Sequence, residues 1–287
     1  MEILLNELSI HGQFESFEDF QSTALIEMLC FFNLQKDGVT TLLKKSDIYS
    51  KQVYRNKSLH DILISKDKEG KSDEIRKLKS QLITIITDPF WDSHKQCSDQ
   101  HKYLYLKQDV SNSCLAEAYE RDCPIISLKP SNFLADRLDV FKDNNGKSLL
   151  NYYSYLSLVQ KLYNDRFIEF EFYCKTFFKG TKLDFSLVNR NKSFEFISNK
   201  NDEDEFLNSF IMFRDMNWYD ILQQGGKGEN VAGLAYRKYE NQEIFDTYKV
   251  QSTIYKFRTT QKYRVFGFRS GDTFFVLEFD LTHRLSD

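Results

Sequence analysis

The C-terminal forty residues constrain this chain most. They run Thr253-Ile-Tyr-Lys-Phe-Arg258, then Lys262-Tyr-Arg-Val-Phe-Gly-Phe-Arg269, a turn at Ser270-Gly271-Asp272, and Thr273-Phe-Phe-Val-Leu-Glu-Phe-Asp280. Aromatic and β-branched residues dominate each run, which predicts three consecutive antiparallel strands. Alternation puts Tyr255 and Phe257 on one face and Lys256 and Arg258 on the other. The stretch also concentrates positive charge: Lys249, Lys256, Arg258, Lys262, Arg264 and Arg269 occur between Lys249 and Ser270 without one acidic residue. The chain as a whole carries a net charge of −3. Any attraction for a polyanion must therefore be local to these strands.

At 287 residues the chain has room for two cores that need no disulfides. The five cysteines are odd in number and scattered, and Met1-Glu2-Ile3 is not the basic start of a secretory signal, which predicts a reduced, cytoplasmic protein. The most apolar run, from Ala24 to Phe32, is short and is broken by Glu27, so no membrane span and no membrane partner is expected.

Glu2-Ile-Leu-Leu5 predicts a strand, and His11-Gly12 a turn. Phe17, Phe20, Ala24, Leu25, Met28, Phe31 and Phe32 recur at helical spacing and predict a helix from about Phe17 to Phe32. Val39 to Leu43 reads as a strand, and the charged stretch between Ser65 and Ser72 as a solvated loop. A helix capped by Ser72 follows, with Ile75, Leu78, Leu82, Ile85 and Ile86 as its stripe and Asp88-Pro89 as its end. Asp109 to Tyr119 reads as a capped helix and Pro124 to Leu128 as a short buried strand. Residues 1–142 thus predict an α/β layer domain.

Lys142-Asp-Asn-Asn-Gly-Lys147 is all turn-formers and charge, and reads as a linker to a second domain at 148–287. There Ser148 would cap a helix carrying Leu149, Tyr152, Leu156, Val159 and Tyr163. Arg166 to Cys174 alternates as a half-buried strand would. Asn201-Asp-Glu-Asp-Glu205 suits a helix N-terminus, and Gln223 to Glu229 a flexible connection that lacks the ending of a phosphate-binding P-loop. The expected class is α+β (mixed α/β): an N-terminal α/β layer domain, then C-terminal helices and an antiparallel sheet.

His94, Cys97, His101, Cys114 and Cys123 lie near one another in sequence, without the paired short spacings of a zinc site. No metal and no cofactor is expected. Ser111-Asn-Ser-Cys-Leu-Ala-Glu-Ala118, Pro124-Ile-Ile-Ser127 and Asn132-Phe133 resemble the last helix and strand of PIN-like nuclease domains, with Ser111 and Lys129 where that family places metal-binding carboxylates. Glu7, Glu27, Asp88, Asp92 and Asp109 are the carboxylates that would have to substitute.

The basic C-terminal strands closed by His283-Arg284 resemble RelE-like toxin domains, small ribonucleases. That resemblance implies Arg258 and Arg264 stabilising charge on a phosphoryl group, His283 moving a proton, and Lys256, Lys262 and Arg269 holding the nucleic acid. Leu4-Leu-Asn-Glu-Leu-Ser-Ile-His-Gly12, Asp88-Pro-Phe-Trp-Asp92 and Phe279-Asp-Leu-Thr-His283 are similar to proteins of bacterial phage-defence loci. The implied function is an RNA-acting effector of an antiviral or toxin-antitoxin system. The alternative is a non-catalytic subunit of a multi-protein defence complex, with protein subunits in place of RNA as partners. A structural reading of the same strands stays open beside both. Glu278 and Asp280 could pair across the sheet with Lys256, Arg258 or Arg264, and His283 shares strand parity with Phe275, Leu277, Phe279 and Leu281.

Overall fold

A computed structural model describes residues 1–65, 73–80, 87–129, 131–224 and 233–285. The Ser72 cap, the positions Leu82, Ile85 and Ile86, and most of the Gln223 to Glu229 connection lie outside the described residues. The fold is mixed α/β, with an N-terminal α/β region followed by helices and an antiparallel-rich sheet. Two compact units divide at Lys161 and Leu162.

In the first unit β1 (Glu2–Leu5) leads to a helical stretch made of α1 (Phe17–Phe20), a π-helical turn at Gln21–Leu25, and α2 (Ile26–Lys36). Ser16 caps it by accepting the Asp19 N–H, and the helix expected to end at about Phe32 runs on to Lys36. Then come β2 (Thr41–Leu43), a small hairpin of β3 (Gln52–Tyr54) and β4 (Lys57–Ser58), α3 (Leu59–Ile64) and α4 (Asp73–Ser80). The strands β5 (Tyr103–Tyr105) and β6 (Gln108–Asp109) precede α5 (Cys114–Arg121), β7 (Ile125–Ile126), β8 (Arg137–Lys142) and β9 (Asn145–Tyr152). Seven of these strands form one sheet in the order β2-β1-β7-β9-β8-β5-β6. Its half from β2 to β9 is parallel, and the β9-β8-β5-β6 side is antiparallel. Ile3, Leu4 and Leu5 are all buried, as a central strand covered on both faces requires.

Here two expectations fail. Residues 142–147 are a hairpin turn: Lys142 pairs with Asn145, and Asp143 takes a positive φ of 52°. A two-residue loop of Asp and Asn is hairpin chemistry, so the stretch joins two strands of one sheet where a linker was expected. Leu149 to Tyr152 consequently belong to β9, and the helix α6 (Tyr155–Asn164) starts later than the expected Ser148 cap.

In the second unit Arg166 to Cys174 is not a strand, because α7 (Phe170–Phe177) forms there and buries Phe170, Tyr173 and Cys174 at helical spacing. Short runs rich in Phe satisfy both periods, and the helical one wins. After β10 (Leu183–Asp184) comes α8 (Lys200–Asp215), capped by Asn199 and carrying Asp202 and Glu203 in its first turn, as the acidic run suggested. The chain continues through α9 (Trp218–Gln223), β11 (Arg237–Lys238), β12 (Ile254–Arg258), β13 (Arg264–Ser270) and β14 (Thr273–Asp280). The three predicted strands pair antiparallel, β10 adds parallel to β14, and β11 adds to β12, giving the order β10-β14-β13-β12-β11. Phe206, Phe210 and Phe213 of α8 pack on Phe279 and Phe257, with ring centroids 4.9 Å apart for Phe206–Phe279 and 4.7 Å for Phe213–Phe257. The many Phe residues therefore act as core rather than as stacking platforms here. Among the described residues no helix is long and apolar enough to cross a membrane.

Candidate functional site

Register decides which basic side chains meet. On one sheet face Arg258 lies opposite Arg264, which lies opposite Asp280. One rung inward Arg237 lies opposite Lys256, Lys256 opposite Phe266, and Phe266 opposite Glu278. A register shift at Phe266/Gly267 re-phases β14, so that Phe275 and Glu278 fall on the same face. Only glycine fits at that point, because a Cβ on Gly267 would collide with the Phe275 carbonyl oxygen. The bulge also breaks the uniform parity assumed from Phe275 to His283.

Arg264 is the best fixed of these cations. Its terminal nitrogens donate to the carbonyls of Thr260 at 3.0 Å, Tyr263 at 2.9 Å and Gln261 at 3.0 Å, which closes the turn between β12 and β13. Partial burial, then the guanidinium groups of Arg258 and Arg237, pull its pKa below the ordinary arginine value, while Asp280 opposes them. Three arginines thus gather at one end of the sheet, with exposed Lys262 in the adjoining turn. Like charges set opposite each other cost stability, so this end of the sheet favours an anion.

His283 joins that end by a route the sequence did not suggest. β14 stops at Asp280, whose carboxylate accepts the backbone N–H groups of Thr282, Arg284 and Leu285 at 3.1, 3.0 and 2.7 Å. The resulting turn holds His283 exposed, with φ of 59°, instead of continuing an inward face. Leu285 then packs with Tyr239, Phe245 and Phe266.

The remaining predicted residues do not converge on this place. Lys256 is 3% exposed, with its ammonium 5.1 Å from the Tyr239 ring centroid and 5.9 Å from that of Phe266, so it cannot present a cation to solvent as expected. Arg269 lies at the far end of β13, opposite Phe274, about 17 Å from Arg264 along the strand and on the other face. Glu278 is fully buried and binds Lys192 at 2.8 Å, Arg284 at 2.7 Å and the Tyr248 hydroxyl at 2.6 Å. These are partners the sequence reading had not named. Arg237 and Lys192 were missed because both come from segments distant in sequence, and no local pattern marks them.

In the first unit four of the five carboxylates proposed from the PIN-like resemblance serve separate structural tasks. Glu7 accepts the Cys114 N–H at 3.1 Å, Glu27 the Tyr155 N–H at 2.7 Å, Asp92 the Ser46 hydroxyl at 2.6 Å and Asp109 the Ser111 hydroxyl at 2.6 Å. Among the described residues no three His, Cys, Asp or Glu side chains gather as metal ligands. His101 meets Asp143 at 2.9 Å, and burial, reinforced by Glu117, pushes the Cys97 thiol up to about 12. No family model, no curated protein and no solved structure matches this chain.

Proposed function

We infer that this chain is a cytoplasmic effector of a bacterial antiviral or toxin-like system that acts on RNA, with the Arg237, Arg258 and Arg264 end of the C-terminal sheet as its phosphate site. The observation that carries the reading is the in-register Arg258–Arg264 pair, with Arg237 close enough to depress Arg264 further. Guanidinium groups gathered at one end of a sheet are suited to the phosphodiester backbone and to charge that grows on a phosphoryl group in transit. His283, on the turn that Asp280 ties to the same strand, supplies an imidazole to move the proton. Lys262 extends the positive surface into the neighbouring turn. Purified protein incubated with RNA and with DNA, with and without divalent metal, tests this beside His283→Ala and Arg258→Gln. RNA cleavage that needs no metal and is lost in both variants, at unchanged melting temperature, is the expected result. Metal-dependent cleavage that both variants retain would move the chemistry elsewhere.

The second reading, a non-catalytic subunit of a defence complex, is favoured by the outer face of β5 and β8. Leu106 is 67% exposed and Phe141 46%, beside half-buried Leu104, along a cleft of about 720 Å³. An exposed apolar strip on a sheet face, flanked by Lys107, Arg137, Asp139 and Asp143, suits a protein partner. Absence of RNA binding together with loss of complex assembly in Leu106→Asp would select it.

A further inference from the structure

The opposite end of the same sheet carries a second cleft, of about 540 Å³, lined by Leu222, Tyr236, Ser252, Thr253, Tyr255 and Arg269 among others. That volume lies in the range of small-molecule sites. Arg269 is the one charged residue among the described residues that line it.

Arg269 is held from two sides. Its guanidinium carbon sits 3.8 Å from the Trp218 ring centroid, and its Nε donates to the Gly271 carbonyl at 2.8 Å. Trp218 is itself pinned through its indole N–H to the Asp272 carbonyl at 3.0 Å. The stack and the single hydrogen bond fix the plane of the fork and leave its terminal nitrogens with no protein acceptor among the described residues. A planar guanidinium oriented in this way is suited to bidentate binding of an oxyanion.

The second observation is independent of that cation. Tyr236 is 3% exposed, yet its buried hydroxyl has no hydrogen-bond partner among the described residues. Its ring stacks on Tyr255, centroids 5.1 Å apart and planes 8° from parallel. Burial, then Tyr255, push the phenol above its ordinary range and Arg269 pulls it back, so the hydroxyl stays protonated near neutrality and lies within electrostatic reach of the guanidinium. A buried donor without an acceptor costs about 1–3 kcal/mol, a cost that an incoming acceptor removes. The hydroxyls of Ser252, Thr253 and Tyr255 at the rim likewise make no hydrogen bond among the described residues.

We propose that this cleft binds the phosphate monoester of a small molecule, its oxygens held by Arg269 and by the Tyr236 hydroxyl and its body against Leu222 and the tyrosine pair. Leu222 is 51% exposed, an apolar surface at the cleft mouth for a flat or apolar group. A nucleoside monophosphate has this composition. The site is separate from the arginine cluster at the other end of β13, and its occupancy is independent of whether that cluster acts on RNA.

Isothermal titration of the full chain with inorganic phosphate, adenosine monophosphate and adenosine tests the assignment, in parallel with Arg269→Gln, Tyr236→Phe and Arg258→Gln. Saturable binding of phosphate, tighter binding of the monophosphate and none of adenosine are expected. Arg269→Gln and Tyr236→Phe should each weaken binding about tenfold or more, and Arg258→Gln should not. Tyr236→Phe removes an unpartnered hydroxyl and should melt no lower than the parent, so lost binding cannot be attributed to lost fold. No saturable binding at about 10 mM of either anion would overturn the proposal. So would affinity that falls in Arg258→Gln but not in Arg269→Gln. Equal affinity for phosphate and the monophosphate would overturn the role of Leu222 and the tyrosine pair.

Discussion

Glu7 in the first unit and Glu278 in the second are both buried carboxyl groups at the heart of a sheet, and the chain treats them in opposite ways. Glu7, just past the end of β1, is 1% exposed and rests on the N–H of Cys114 at the start of α5, with Lys45 and Lys51 acting only from a distance. Its carboxyl is therefore raised from 4.5 to about 7 by burial. Around it the polar groups are neutral: Asn6 donates to Ser127 at 3.0 Å, Ser127 to Asn151 at 2.7 Å, and Asn151 to the Phe133 carbonyl at 2.7 Å. Glu278 instead meets two cations and a phenol directly. The lesson is that a buried acid is stabilised either by keeping its proton or by recruiting its counter-ions. The first solution makes stability depend on pH near neutrality. The second ties down three segments that are far apart in sequence.

The largest expected effect tests the first solution. Between 4.5 and about 7 the folded chain holds a proton on Glu7 that the unfolded chain has released, so stability falls as pH rises through that window and levels off above it. The contribution amounts to about 3 kcal/mol. Glu7→Gln keeps an acceptor for Cys114 and removes the titration, so urea denaturation at pH 5 and pH 8 should show the parent losing about 2.5 kcal/mol more than the variant. Parallel profiles would mean that Glu7 is ionised in the folded chain and that the two regions do not differ in this way.

Next in size is Glu278→Gln. Lys192 and Arg284 are 39% and 43% exposed and can return to water, which limits the loss. The cost should be about 2 kcal/mol, read as a lower denaturation midpoint at unchanged slope. A cost below about 0.5 kcal/mol would place this pair with ordinary surface ion pairs.

How far the sequence foretold this contrast depends on the range of the interactions. Local signals held: the apolar stripe that starts at Phe17, the acidic run Asn201 to Glu205 at the start of α8, and the three C-terminal strands all formed as their patterns implied. Where two local patterns competed, the reading failed. Lys142 to Lys147 satisfied both linker and hairpin chemistry, and Arg166 to Cys174 both periodicities. Gly267 inside an apolar run was a legible bulge signal, and it would have corrected the uniform parity assumed between Phe275 and Phe279. The candidate site was legible only in part. Arg258, Arg264 and His283 do reach one end of the sheet, but their fixing contacts are backbone carbonyls, backbone N–H groups and Arg237, none of which has a sequence signature. Lys256 failed because alternation tells which face a side chain takes and not what covers that face; here Tyr239 and Phe266 cover it.

The smallest effect sharpens the contrast by removing one partner and leaving the charges in place. Tyr248 donates to Glu278, and burial, reinforced by that carboxylate, pushes its phenol above the ordinary range, so the hydroxyl is a committed donor at any pH the fold meets. Tyr248→Phe leaves Lys192 and Arg284 on the carboxylate and should cost about 1.5 kcal/mol, the net worth of one hydrogen bond to a charged group at its low end. In a Glu278→Gln background the same substitution should cost less, because its acceptor is no longer charged. A double-mutant cycle on the denaturation midpoints measures that difference. Strict additivity would mean that Tyr248 packs against Glu278 without sharing its charge, and the counter-ion cage would then consist of the two cations alone.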